Sequence, residues 1–275
     1  MDATGKALAR DIAVPLVVLA RNGFTLLFMA VALLPLMGGA LLRVGHLKLQ
    51  LWRGLALFGF TTFFFTALKF LPQAEATAIN FITPFFVMLL AGPLLGETVR
   101  WWRWVATAVG FGGMLLVIRP GANLATVGVV CALLTMLCNI AFQLLNRKAA
   151  QLENPLASVF YSSLVGFAGA LVTMPLVGSV EALGAWPQAL NSWQWFLMVS
   201  FGLTGSVSQY CLIRAYYYSS ASFIATLVYL QIIWAVAAGW GFFGQLPDAV
   251  TFAGITVITL SGIAVAVFEM QRGKR

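Results

Sequence analysis

Charge is what this 275-residue chain has least of: 9% of its residues are Asp, Glu, Lys or Arg, against about 25% in a soluble domain. Only eight are acids. With 61% hydrophobic residues and a mean hydropathy of +0.94, an integral membrane protein is implied. The charge-poor runs are too long for the strands of an outer-membrane barrel, which alternate over about 10 residues. An all-α protein is left.

Other scarcities exclude other chemistry. The three cysteines, Cys131, Cys138 and Cys211, lie inside apolar segments as small packing residues, so neither a disulfide framework nor a metal site is read. The sole histidine, His46, sits in a loop beside Lys48. There is no HExxH, Asp-rich metal motif or Gly-rich phosphate loop, so no enzyme and no cofactor is expected. A net charge of +8 could suggest nucleic acid, but the cations fall singly or in pairs. No basic run tracks a phosphate backbone. The N-terminus is not a signal peptide, because Asp2, Lys6, Arg10, Asp11 and Arg21 interrupt its apolar core.

About 20 apolar residues span a bilayer as a helix. Nine such spans are predicted: 15–42, 52–70, 74–95, 101–118, 125–146, 156–177, 193–214, 219–243 and 249–268. Arg53, Lys69, Arg103 and Arg119 are read as snorkelling flanks, and most tryptophans as an interfacial belt. Trp234 differs, lying well inside the eighth span. Counting Lys and Arg at alternate ends gives eleven against five, which predicts a cytoplasmic C-terminus.

Residues 67–99, ALKFLPQAEATAINFITPFFVMLLAGPLLGETV, align without a gap with 215–247, AYYYSSASFIATLVYLQIIWAVAAGWGFFGQLP, at an offset of 148. The equivalent spans run in opposite directions on the charge count. An inverted repeat is thereby predicted, an arrangement found in alternating-access carriers.

These two stretches, continued through Ile118 and Ile263, resemble the drug/metabolite transporter superfamily and its EamA-type members. The first carries a mid-helix proline and a Gly-Glu at the helix end, and the second matches through the same order of spans. The resemblance implies two five-helix repeats, ten spans, and a central cavity for small metabolites. Here the repeats are expected at 1–119 and 120–275. The first holds four spans and lacks most of helix one, so a late start is expected, or else a truncated, non-transporting scaffold or defective paralogue. Gln245 also stands where Glu often closes the second repeat.

Polar side chains inside membrane helices need a partner or water. Thr135, Asn139, Gln143 and Asn146 recur along one helix face. Helix–helix glue and a solvated cavity wall both fit Asn139 and Gln143, whereas Asn146 reads as interfacial. Asn80 and Thr83 lie beside Pro84, whose missing N–H frees a carbonyl one turn earlier. Tyr229, Gln231 and Trp234 offer a hydroxyl, an amide and an indole. Together these are the candidate cavity residues, with Pro84 as a helix kink. Arg21 is read as the one cation inside a span, near the outer end of the family's second helix, as a structural anchor or an anion partner.

The expected function is transport of small organic metabolites (amino acids, amphipathic compounds or drugs), directed outward across the inner membrane. Alternating access would occur around a midplane cavity. No carboxylate lies near the middle of a span, which favours facilitated or exchange transport over proton coupling. The expected partners are a small-molecule substrate and the lipid bilayer.

Overall fold

The computed structural model describes residues 14–33, 43–71, 73–118, 125–176, 191–231 and 249–272. Among them, every regular element is helical. In hydrocarbon each backbone N–H and C=O must find its partner inside the chain, and a helix provides this without a neighbour.

Helix α1 covers Val14–Phe28 and runs on as a π-helical turn, Met29–Leu33. It is followed by α2 (Leu47–Phe70), α3 (Gln73–Asn80), α4 (Thr83–Leu95), α5 (Trp101–Ile118) and α6 (Thr126–Leu152). After these come α7 (Pro155–Leu176), α8 (Ser192–Tyr218), α9 (Ala221–Leu227) with a 3-10 turn at Val228–Leu230, and α10 (Ala249–Arg272). Among the described residues, five helices are long and apolar enough to cross a membrane: Val14–Val31, Leu47–Phe70, Thr126–Leu152, Pro155–Pro175 and Ser192–Tyr218.

The chain divides into two compact units. One is Met1–Leu71 with Ala125–Tyr218; the other is Pro72–Leu124 with Ser219–Arg275. All five of those helices belong to the first unit. The second unit holds the shorter apolar helices Thr83–Leu95, Ala221–Leu230 and Ala249–Ala264.

In the first unit, helices close on one another over small residues, as membrane helices do when van der Waals packing replaces hydrophobic association. A Cβ on Gly54 of α2 would lie 2.6 Å from the Val165 side chain of α7. One on Gly202 of α8 would lie 2.5 Å from Phe24 of α1.

In the second unit, the predicted span 74–95 is not continuous. It breaks at Phe81–Ile82 into α3 and α4. Pro84 has no N–H to return to the previous turn, and the backbone tightens there. The Ile82 amide donates to Ile79 at 3.2 Å and the Phe85 amide to Ile82 at 3.1 Å. At its far end α4 stops at Gly96, whose φ of 68° lies in the left-handed region that suits glycine.

Helix boundaries recur at the offset found in the sequence. The ends of α2 and α8 and the starts of α3 and α9 each stand 148 residues apart. Within the second unit, positions so related also face one another. The Phe81 and Tyr229 rings lie 5.6 Å apart. Two further contacts exchange members under the same offset, which pairs Ala106 with Gly254 and Gly113 with Ser261: Ser261 Oγ donates to the Ala106 carbonyl at 2.7 Å, and a Cβ on Gly113 would meet the Gly254 carbonyl at 3.0 Å.

Candidate functional site

The polar stripe of α6 splits into three roles. Thr135 Oγ1 donates to the Cys131 carbonyl of its own helix, 2.8 Å away. Gln143 is held at both ends of its amide: Nε2 donates to Asn139 Oδ1 at 3.3 Å, and Oε1 accepts from the Tyr216 hydroxyl at 3.0 Å. Gln143 is buried; Asn139 is half-buried and is the more open member of the pair.

Asn146 is not interfacial, as its neighbour Arg147 suggested. It is fully buried, because α6 continues to Leu152, and its Oδ1 accepts from Arg53 Nη1 at 2.7 Å. Arg53 is likewise no snorkelling flank: its exposure is 0%. Its Nη2 donates to Ser162 Oγ at 2.9 Å and its Nε to Gln50 Oε1 at 3.2 Å; Gln50 Nε2 in turn reaches Ser158 Oγ at 2.8 Å. The start of α2, the end of α6 and the start of α7 thus share one polar knot.

Arg21 is therefore not the one cation inside a span. It is buried within α1, with Cζ 5.5 Å over the Phe201 ring. Glycine at 205 leaves room for it, since a Cβ there would approach Arg21 Nε to 3.3 Å. Four residues on, Thr25 Oγ1 lies 2.9 Å from the Arg21 carbonyl and 3.1 Å from that of Gly202.

In the second unit, Pro84 marks the helix break. Phe85 bonds Ile82 instead of Phe81, and the Phe81 carbonyl accepts from the Tyr229 hydroxyl at 2.9 Å. Tyr229 is only 2% exposed. Its hydroxyl completes the broken backbone of the helix that the proline interrupts. Thr83 is buried and its Oγ1 donates to Asn80 Oδ1 at 3.3 Å; Asn80 is half-buried. Gln231 is exposed at the end of the described segment, and Trp234 lies outside the described residues.

Sequence reasoning missed a second cluster in this unit. Glu97 Oε1 accepts from the Ala221 amide at 2.9 Å, and Oε2 from the Ser222 amide and hydroxyl at 3.3 and 3.1 Å. Arg103 is also buried; its Nη1 donates to Ser220 Oγ at 3.0 Å and to Ser222 Oγ. Glu97 is thus a cap for a helix start 124 residues away. Ser220 and Ser222, at the turn from α8 into α9, were the available signal.

The arrangement is a set of buried hydrogen-bonding groups in helices of membrane-spanning composition, and comparison with known proteins agrees with it. The chain is 28% identical over 238 residues to an S-adenosylmethionine uptake transporter of Rickettsia prowazekii (strain Madrid E), covering 86% of this chain and 78% of that protein. It is 29% identical over 235 residues to the pseudopaline exporter CntI of Pseudomonas aeruginosa (strain UCBPP-PA14), covering 83% and 78%. A solved crystal structure shares the fold with a TM-score of 0.76 at 18% identity, over 98% of this chain and 93% of that one. These relatives are named as transporters of small molecules, not as enzymes. The sequence profile of the EamA-like transporter family matches residues 3–119 and 126–268, and the chain belongs to that family.

Proposed function

We propose that this protein carries small organic metabolites across the cytoplasmic membrane by alternating access around a midplane cavity. Outward transport and a cytoplasmic C-terminus are part of the proposal. The relatives include both an uptake transporter and an exporter, and the outward direction follows the second; the C-terminal side draws on the distribution of Lys and Arg. We also propose that residues 1–119 and 120–275 are inverted repeats. The 148-residue recurrence of helix boundaries and the reciprocal contacts at Phe81–Tyr229 support this, since a two-fold relation brings equivalent positions together.

The observation that carries the reading is the interrupted helix α3–α4, with Asn80, Thr83 and the Tyr229 cap around its break. Carriers use discontinuous membrane helices where substrate is bound, because irregular backbone is tolerated only against protein or a wet cavity. Asn80, Thr83, Asn139, Gln143, Gln231 and Trp234 are proposed as substrate contacts. Tyr229 acts there through the backbone it completes, and Arg21 as an anchor or anion partner.

Purified protein in liposomes, loaded and challenged with a broad metabolite panel in both directions, tests this. Saturable flux of at least one organic solute is expected. Absence of any flux by protein whose fold is intact would refute it. Asn139→Leu should cut flux about tenfold, the loss of one to two hydrogen bonds to a bound solute. The yield of folded protein should be little changed, because Asn139 is only half-buried.

A further inference from the structure

We infer that the Arg53 knot is a binding site for a small inorganic monoanion of about the size of chloride. This site stands independently of the transport reading.

Five side chains form the knot: Gln50, Arg53, Asn146, Ser158 and Ser162, none more than 1% exposed. A guanidinium carries five N–H donors and cannot shed its charge by deprotonating. Arg53 uses three of them, all on neutral oxygens: Gln50 Oε1, Asn146 Oδ1 and Ser162 Oγ. Two donors are left. Asn146 Nδ2, equally buried, has no hydrogen-bond partner among the described residues. Ser162 turns its own hydroxyl hydrogen to the carbonyls of Ser158 and Val159, so it offers Arg53 only an acceptor. The knot is therefore rich in donors, short of acceptors and carries one positive charge.

No carboxylate balances that charge among the described residues. The one described acid of this unit is Glu153, and both of its oxygens are taken. They accept from the Gly45 amide at 3.2 Å, the His46 amide at 2.6 Å and the His46 ring at 3.2 Å. An isolated cation in a dry membrane interior is costly unless paired. Buried donors left over carry a further penalty. One species answers both deficits: a ligand that only accepts and bears a single negative charge. A cation would be repelled and a neutral amide would bring donors of its own. The enclosure of all five residues, with the Phe142 ring 6.0 Å from Arg53 Cζ, favours a halide over a bulky organic anion.

The full-length protein in lipid nanodiscs tests this by thermal unfolding in chloride, bromide and gluconate salts at equal ionic strength. Chloride and bromide should raise the midpoint saturably, by about 3 °C at roughly ten times Kd, and gluconate should not. Asn146→Asp keeps the oxygen that Arg53 uses and supplies a built-in counter-charge. That variant should lose the halide shift and unfold in gluconate no lower than the natural protein. Equal midpoints in all three salts for the natural protein would overturn the inference, as would an Asn146→Asp variant that keeps the full shift. Equilibrium binding of radioactive chloride to the natural protein needs no variant. Saturable, stoichiometric binding supports the site and absence of binding removes it.

Discussion

Asn146→Leu is expected to destabilise the first unit by about 3 kcal/mol, the range for removing a hydrogen-bond acceptor from a buried charged group. Leucine has the same branched side-chain skeleton as asparagine, so the loss of polarity outweighs the change of shape. The damage comes from Arg53, which keeps its charge and its burial and loses its 2.7 Å partner from α6. Gln50 and Ser162 cannot make up the difference, since each already holds one guanidinium nitrogen. Denaturant titration in mixed micelles, followed by a probe on α6, should show an earlier midpoint. Restoring an oxygen at this position with Asn146→Ser should recover part of the loss. A leucine variant as stable as the natural protein would mean that the knot contributes nothing to holding α2, α6 and α7 together.

Glu97→Ala is expected to cost the second unit about 2–3 kcal/mol, because hydrogen bonds to a charged group are the strong ones. The carboxylate accepts two backbone amides and one hydroxyl at the start of α9. Alanine leaves those part-buried amides without their partner. Hydrogen exchange at Ala221 and Ser222 should speed up more than at α5 or α10. Uniform acceleration across the unit, or none at Ala221 and Ser222, would contradict the capping role. Glu97→Gln separates charge from geometry: it retains an acceptor and should lose about half as much.

How much of this was legible in the sequence depends on distance along the chain. The helices were readable because an uncharged apolar run of sufficient length has few other ways to satisfy its backbone in a bilayer. The offset of 148 was readable because helix ends carry turn residues, and the ends of α2 and α8 and the starts of α3 and α9 fall on it. Pro84 signalled that a carbonyl would need a partner. It could not say that the break lies at Phe81–Ile82, nor that Tyr229 completes it, since that depends on a contact across 148 residues.

The buried arginines were misread for a related reason. Arg53 and Arg103 stand near the ends of apolar runs, where a long side chain ordinarily reaches water. Their burial is decided by partners 93, 109, 117 and 119 residues away. A clue was present in Gln50 and Arg53 three residues apart, with Ser158 and Ser162 four apart, since each pair lies on one helix face. Arg147 beside Asn146 points to an interfacial position, but the helix runs six residues further, to Leu152. The pair Asn139–Gln143 was correctly seen as neighbours on a face. Tyr216, which takes the glutamine oxygen, sits 73 residues off and gave no local sign.

Protein in which Cys131, Cys138 and Cys211 are replaced, and a single cysteine is introduced at Asn139, permits the most direct test of a solvated route for solute. Intact vesicles of each orientation are treated with a membrane-impermeant maleimide, with and without a solute that the liposome assay shows to be carried. Labelling from an aqueous side, slowed by that solute, is the expected result. A cysteine at this position that reacts from neither side, in protein that still folds, would contradict the account at its root.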